Sequence, residues 1–262
     1  MAILFICIAK TYKETPTVWA YTKMETLPIA RFDIRVFQGE SAHNVAIIGK
    51  RETGKSTLVR DLLRHCRKDQ NFYATIITQS GETPMYREQS SNYSILGQYD
   101  DSVIEDYLTK LKSTRAPSNS ALVLDDCMYD NRWFRNKYTR ALFANGRTWK
   151  STLLLAMSYP LRIPSVFSAS LDYVFLFREA VVSNKKRIWE TYTFGAFPTF
   201  ELFCAVFDDA ASARYDALVI KNCEIQCELC DKIFWYKADP ELGRARLGQS
   251  SEEPAAICKV SG

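Results

Sequence analysis

The stretch Val45–Thr57, VAIIGKRETGKST, decides the fold. Gly49 is followed by Lys50, Arg51, Glu52 and Thr53 and then by Gly54, Lys55, Ser56 and Thr57, which fits G-x-x-x-x-G-K-[ST] without departure. An apolar run precedes the loop and an amphipathic run, STLVRDLLRHCR, follows it, so a buried strand should feed a loop that opens a helix. Glycines let such a backbone close around phosphate oxygens, and its amides and the positive helix end stabilise their charge. Lys55 would reach the outer phosphates and Ser56 would coordinate magnesium, so the implied ligands are ATP and Mg2+.

Outward from the loop, apolar runs alternate with helical stretches: ATIIT, ALVLDD, STLLLAM, DYVFLF and YDALVI, separated by segments such as DSVIEDYLTKLK. Runs without a polar face indicate strands buried on both sides, hence a mainly parallel α/β sheet with helices on both faces. RFDIRVF alternates and reads as a strand with Phe32, Ile34 and Val36 or Phe37 on its faces, and IFWYK reads as a last strand. The expected division is an extension over 1–27, a P-loop domain over 28–239 and a mobile tail over 240–262, rich in Gly, Pro, Ser and charge. In the extension, an edge strand at Leu4–Ile8 and a start at Met24 both fit.

A metal-bound triphosphate needs a hard carboxylate near the loop, and ALVLDDCMYD supplies it at the end of a buried run. Asp125 would hold the magnesium shell and Asp126 would orient or deprotonate the attacking water, its alternative being a helix N-cap. ATIIT lies between the loop strand and the Asp strand, which fits the RecA-like (ASCE) class of P-loop NTPases with an additional strand and a water-activating acid. Many of these use Glu for the second task, one methylene longer than Asp126. NKYT and NKKR both lack the Asp of a guanine-reading signature, which disfavours a GTPase switch.

Ser158, after STLLLAM, falls at the sheet edge of the phosphate loop, where a hydroxyl can touch the outer phosphate or simply end a strand. Arg147, in ANGRTWKS before the same strand, falls at the opposite edge. It is therefore poorly placed for its own nucleotide and well placed for a neighbour's, where a cation in trans is worth about three to five orders of magnitude in rate. A cation favoured by a helix C-terminus is the other reading.

The 262 residues carry a formal charge of +4, 47% hydrophobic and 24% charged residues. That charge is too small to coat the surface, so nucleic acid would need a local basic patch. Arg132, Arg135, Lys137, Arg140, Arg147 and Lys150, with no Asp or Glu among them, form one, unless they are only a solvated helix face. MAILFICIA is too short to span a bilayer and reads neither as an anchor nor as a secretory leader. Eight scattered cysteines suit reduced thiols in a cytosolic compartment. Cys223, Cys227 and Cys230 offer three thiolates to zinc, with Asp231 or Cys258 as a fourth ligand, or serve as reduced thiols in a short connection. The aromatic cluster in FGAFPTFELFCAVF has helical spacing and belongs to a core.

From FDIRVF through IFWYK the chain resembles the genome-packaging ATPases of the nucleocytoplasmic large DNA viruses, the poxvirus-type branch of the FtsK/HerA superfamily. The pieces that carry the resemblance are IIGKRETGKST, LVLDDCMYD, FANGRTWK, SYPLRIP leading to LDYVFLFRE, and FPTFELFCAVFD before YDALVI. It implies an ATP-driven motor acting as a homo-oligomeric ring. Such a ring would push double-stranded DNA, without regard to sequence, into a capsid, within the virion or the host cytoplasm. Family roles fall on Lys55, Ser56, Asp125, Asp126 and, as a finger, Arg147, and Arg178 is a second arginine at a family-like position. The chain departs from the pattern at Ser158, where relatives commonly have Gln, and at Ser168 and Ser170, where they tend to carry Arg and Asn. Slower turnover, or compensation by Arg162, would follow. Rival readings are an ATP-binding scaffold of virus assembly with little turnover and a P-loop nucleotide kinase, the latter disfavoured by the lack of an arginine-rich lid.

Overall fold

The computed structural model describes residues 29–68, 70–78, 84–87, 92–113, 119–127, 132–223 and 229–241. The expectations for residues 1–27, for Cys227 and Cys258, and for the tail from 242 onward lie outside these. In chain order the elements are β1 (Ala30–Arg31), β2 (Asn44–Ile48), α1 (Lys55–Cys66), β3 (Tyr73–Thr78), α2 (Pro84–Arg87), β4 (Tyr93–Leu96), α3 (Asp101–Ser113) and β5 (Ser120–Asp125). They continue with α4 (Arg132–Arg135), α5 (Lys137–Asn145), β6 (Ser151–Met157), α6 (Ser165–Ala169), β7 (Tyr173–Phe177), α7 (Val182–Tyr192), α8 (Phe200–Ala210), β8 (Asp216–Lys221) and β9 (Ile233–Lys237).

Among the described residues the strands form one sheet in the order β1-β9-β8-β7-β2-β6-β5-β3-β4. Every neighbouring pair is parallel except those made by β8, which runs against β7 and β9. Strand alternation divides the core in two. Val45, Ile47, Val123, Leu154 and Phe175 point to the face covered by Leu58, Val59, Leu62 and Leu63 of α1. Ala46, Ile48, Leu124, Leu155 and Leu176 point to the face covered by α3, α5, α7 and α8. The expected aromatic cluster lies there, with Phe203 and Phe207 of α8 fully buried and stacked at 5.2 Å.

Two expectations are corrected. RFDIRVF is not a strand: only Ala30–Arg31 pairs in the sheet, and Ile34–Gln38 is a 3-10 helix. Asp33 caps it by accepting the Arg35 N–H at 3.0 Å, and the tight turn sends Phe32 and Phe37 into the same core while Val36 stays exposed. ATIIT (in β3) is not the strand inserted between the loop strand and the acidic strand. β6 is, pairing with β2 through Ile48↔Met157 and with β5 through Asp125↔Ala156. β3 lies beyond β5. The class is unchanged: an α/β P-loop NTPase sheet, mainly parallel, with an additional strand between its two acid and phosphate strands.

This order brings the ends of β2, β5, β6 and β7 to one edge, together with the start of the reversed β8. Asp126 N–H donates to the Ala156 carbonyl (2.9 Å) and Gly49 N–H to that of Met157 (3.0 Å), which fixes the register of the three loops that leave this edge.

Candidate phosphate-loop site

Gly49 and Gly54 are required by the packing. A Cβ on Gly49 would lie 2.5 Å from Phe177 Cβ, and one on Gly54 would lie 2.8 Å from Tyr215 Cδ1, at a φ of 122° that side chains rarely adopt. Gly54 opens α1 without a side-chain cap, which leaves the amides of the first turn for a ligand. Within the loop Thr53 Oγ1 donates to the Lys50 carbonyl at 2.8 Å, Glu52 sits at φ 66°, and Arg51 and Glu52 are exposed. Thr57 is buried behind them.

Lys55 is 5% exposed. Its Nζ donates to Ser158 Oγ at 2.9 Å and to the Lys50 carbonyl at 3.4 Å, and lies 3.3 Å from Asp126 Oδ2. Ser158 in turn donates to Asp126 from both its N–H and its Oγ, each at 2.6 Å. The predicted phosphate lysine, strand-end serine and water-activating acid therefore form one cluster. Asp126 stands at φ 51°, a left-handed geometry that an Asp tolerates and that aims its carboxylate across the end of β6.

Asp125 is buried beside it. Tyr86 OH donates to its Oδ2 at 2.8 Å, and Ser56 is close enough to the same carboxylate to favour its charged form. Burial pushes the Asp125 pKa above the usual carboxylate value, the Tyr86 hydrogen bond opposes this, and the charge of Asp126 adds to it. A buried carboxylate held next to a serine hydroxyl at a phosphate loop is a hard-oxygen pair without a cation of its own, which fits the donor set of Mg2+. The residues present therefore suit ATP with Mg2+: loop amides and Lys55 toward phosphate, Ser56 and Asp125 toward the metal.

Sequence reasoning missed two supports of this site. Glu179, just past β7 and 5% exposed, holds Lys50 Nζ at 2.9 Å, Val181 N–H at 2.8 Å and Asn184 Nδ2 at 2.8 Å. Burial alone would raise its pKa, yet these donors bring it below the ordinary value, so Glu179 is a charged anchor for the loop. Its one legible signal is its position after Arg178 in LFRE, at the end of a buried strand; Arg178 itself is exposed. Tyr86 lies in a stretch with no pattern to mark it.

Arg147 lies where the sequence places it, at the opposite sheet edge, in the turn between α5 and β6. Its side chain is 68% exposed and pairs with Asp172. Asp172 also accepts the Asn44 N–H at 2.8 Å and faces His43 at 3.8 Å. Burial works against its charge, but His43, the Asn44 amide and Arg147 together hold its pKa below the usual carboxylate value. Of the basic patch, Arg135, Lys137 and Arg140 are exposed. Ser168 and Ser170, at the departures, bond back to the Ser165 and Val166 carbonyls in and after α6, and Arg162 is exposed. Cys230 is a free thiol, and no group of three metal-binding side chains occurs among the described residues. No helix among them is long and apolar enough to cross a membrane.

Over 202 residues the chain is 33% identical to the uncharacterized protein 088R of Invertebrate iridescent virus 3, covering 76% of this chain and 77% of that one. The chain belongs to the family of this iridoviral protein. A second member, the uncharacterized protein 075L of Invertebrate iridescent virus 6, is 30% identical over 206 residues, 77% of this chain and 79% of its own. No protein-family model matches the sequence. The family fold is shared with B204, the DNA-packaging ATPase of Sulfolobus turreted icosahedral virus, at a TM-score of 0.56 and 15% identity, over 77% of this chain and 100% of that one. The genome packaging NTPase B204 of Sulfolobus turreted icosahedral virus 2, solved with AMPPCP, gives 0.53 and 13% over 76% and 98%. The resemblance drawn from the motifs is thus borne out: the relatives are proteins of large DNA viruses, and the fold is that of a viral P-loop ATPase.

Proposed function

We propose that this protein is an ATP-hydrolysing motor that moves double-stranded viral DNA into a capsid as a homo-oligomeric ring. The observation that carries the reading is the pairing of two edges: a complete phosphate and acid cluster at one, and an exposed arginine, Arg147, at the other. A sheet built this way puts Arg147 on the edge away from its own phosphate loop, where a head-to-tail neighbour would bring it a site. B204, a packaging ATPase with this fold, supports the substrate and the DNA.

In this reading the loop amides and Lys55 bind the outer phosphates, and Asp126 orients water and takes its proton. Magnesium, when bound, neutralises phosphate charge; Ser56 and Asp125 are the residues that would hold it. Asp126 must leave Lys55 to act as a base, and Ser158 is placed to keep hold of it during that exchange. Arg135, Lys137 and Arg140 would grip DNA phosphates without reading bases.

The same Lys55–Asp126 contact favours a second reading, a nucleotide-binding scaffold of virus assembly in which the acid stays engaged and turnover is slight. Steady-state ATPase rates with and without random duplex DNA, for the natural chain, Lys55→Ala and Arg147→Ala, separate the two. DNA stimulation that both variants abolish supports the motor. Tight ATP binding with no turnover under either condition supports the scaffold.

A further inference from the structure

The turn that opens YDALVI closes the phosphate loop from the side away from the acids. Residues 213–215 lead into β8. Tyr215 N–H donates to the Thr53 carbonyl at 3.0 Å and Arg214 Nε to the Glu52 carbonyl at 3.1 Å. The Arg214 guanidinium lies over the Tyr215 ring, 4.9 Å from its centroid. Both sides of this junction are held in the left-handed region, Glu52 at φ 66° and Tyr215 at φ 73°. Two non-glycine residues in that conformation, bonded through one turn, concentrate backbone cost at a place where the fold has a use for it. Ala238 N–H donates to the Tyr215 carbonyl at 2.9 Å, so β9 braces the turn from behind.

The direction of the site says what that use is. β2 divides the sheet. Lys55, Ser158, Asp125 and Asp126 all gather toward β6 and β5, which marks the end at which outer phosphates are handled. A triphosphate bound with its outer phosphate there must send its nucleoside the other way, toward β7, β8 and β9. On that side the surface next to Gly54 is the ring of Tyr215 and the exposed guanidinium of Arg214. A planar cation backed by an aromatic ring is a stacking surface for a base.

We propose that Arg214 and Tyr215 form the nucleobase platform of the phosphate loop, the base lying on the Arg214 guanidinium with the Tyr215 ring beneath it. This rests on the reading of the loop as a triphosphate site. Stacking reads the face of a base and not its edges, so the platform takes nucleoside triphosphates without selecting among bases, ATP and GTP alike.

The test is binding of ATP, GTP and inorganic tripolyphosphate, each with magnesium, to the full chain by titration calorimetry. Arg214→Ala weakens both nucleotides about 5- to 100-fold, the range for loss of one stacked base, and leaves tripolyphosphate unchanged. Arg214→Lys keeps the charge without the plane and recovers little. The platform is overturned if Arg214→Ala weakens tripolyphosphate as much as ATP, which would make the turn a support of the loop. Full recovery in Arg214→Lys would overturn it too, by leaving only charge attraction to phosphate. Lys55→Ala is the reference, losing all three ligands. A natural chain that binds none of the three overturns the triphosphate reading itself, and the platform with it.

Discussion

Ser158 and Asp126 are joined by two hydrogen bonds of 2.6 Å, one from the backbone and one from the hydroxyl, and Lys55 donates to the same hydroxyl at 2.9 Å. The serine thus links the phosphate lysine to the acid through a single oxygen. Ser158→Ala keeps the backbone bond and removes the link. A hydrogen bond to a charged group is worth about 1.5–3 kcal/mol, so hydrolysis should fall about 10- to 100-fold. Nucleotide affinity should change by less than about threefold, because Lys55 keeps its charge. Single-turnover rates and calorimetric affinities measured side by side check this; equal losses in both would mean that Ser158 serves binding alone.

Asp125 is a buried carboxyl whose pKa burial raises. It binds its proton at higher pH in the folded chain than in the unfolded one. The fold therefore loses stability as pH rises from the ordinary carboxylate value through the raised one, and carries the full deficit above it. Asp125→Asn removes the charge and keeps an acceptor for Tyr86. Without nucleotide or metal, the variant should melt several degrees above the natural chain at neutral pH, with the difference shrinking in acid. Hydrolysis should drop by about two orders of magnitude or more, since the metal loses its carboxylate. Calorimetric melting at neutral and acid pH, with ATPase assays, measures both.

The site was legible where chemistry is carried by neighbours in the chain. Gly49 to Ser56 announce the loop, and the acidic pair closes an apolar run that can only be a strand end. Ser158 and Arg147 could be sorted to opposite edges because a parallel strand has one residue at each end. What could not be read depends on which strands become neighbours. β6 enters between β2 and β5 through crossovers that no local pattern encodes, whereas ATIIT follows the loop strand in the chain and looks like the inserted one. Glu179 is an anchor only because β7 lies against β2 and brings Lys50 within reach, and Asp172 meets Arg147 for the same reason. RFDIRVF alternates like a strand because a 3-10 turn also delivers Phe32 and Phe37 to one core, and the Asp33 cap that decides between them is a single side chain.

His65, at the end of α1, has its Nδ1 2.8 Å from the Asp61 carbonyl and 3.4 Å from Asp61 Oδ1, while Tyr236 OH donates to the buried Asp61 carboxylate from β9. The hydrogen bond to Asp61 raises the His65 pKa above 6.5, against burial. Its stabilising effect is complete below that value and disappears as pH rises through the raised one. Urea midpoints should therefore fall between about pH 6 and pH 8, and His65→Gln should flatten that slope. A slope that survives the substitution assigns the titration to another group.

Arg135, Lys137 and Arg140 are exposed on and beside α5. If they contact duplex phosphates, each releases counterions, and the slope of log affinity against log salt should shrink by about 0.9 for each one removed. The triple alanine variant should bind random duplexes more weakly and with a slope about 2.7 units flatter. Fluorescence anisotropy over a range of potassium chloride concentrations measures it. An unchanged slope places the DNA elsewhere and leaves these residues a solvated face.

Arg147 and the phosphate loop occupy opposite edges of the sheet, and Asp172 holds the arginine outward. If the arginine completes a neighbour's site, then Lys55→Ala and Arg147→Ala protein should each be inactive alone, for different reasons. The first lacks a working loop and keeps its arginine; the second keeps its loop and lacks the arginine it lends. In a head-to-tail assembly of equal parts of both, about one interface in four joins an intact loop to an intact arginine, so mixing should restore up to about a quarter of the natural rate. The mixture must be dissociated and reassembled, and its ATPase rate compared with the sum of the two variants. No recovery in a verified mixed assembly would make Arg147 a partner of Asp172 and nothing more. Recovery identifies the interface as the place where hydrolysis is licensed, because no single protomer in the mixture holds both parts.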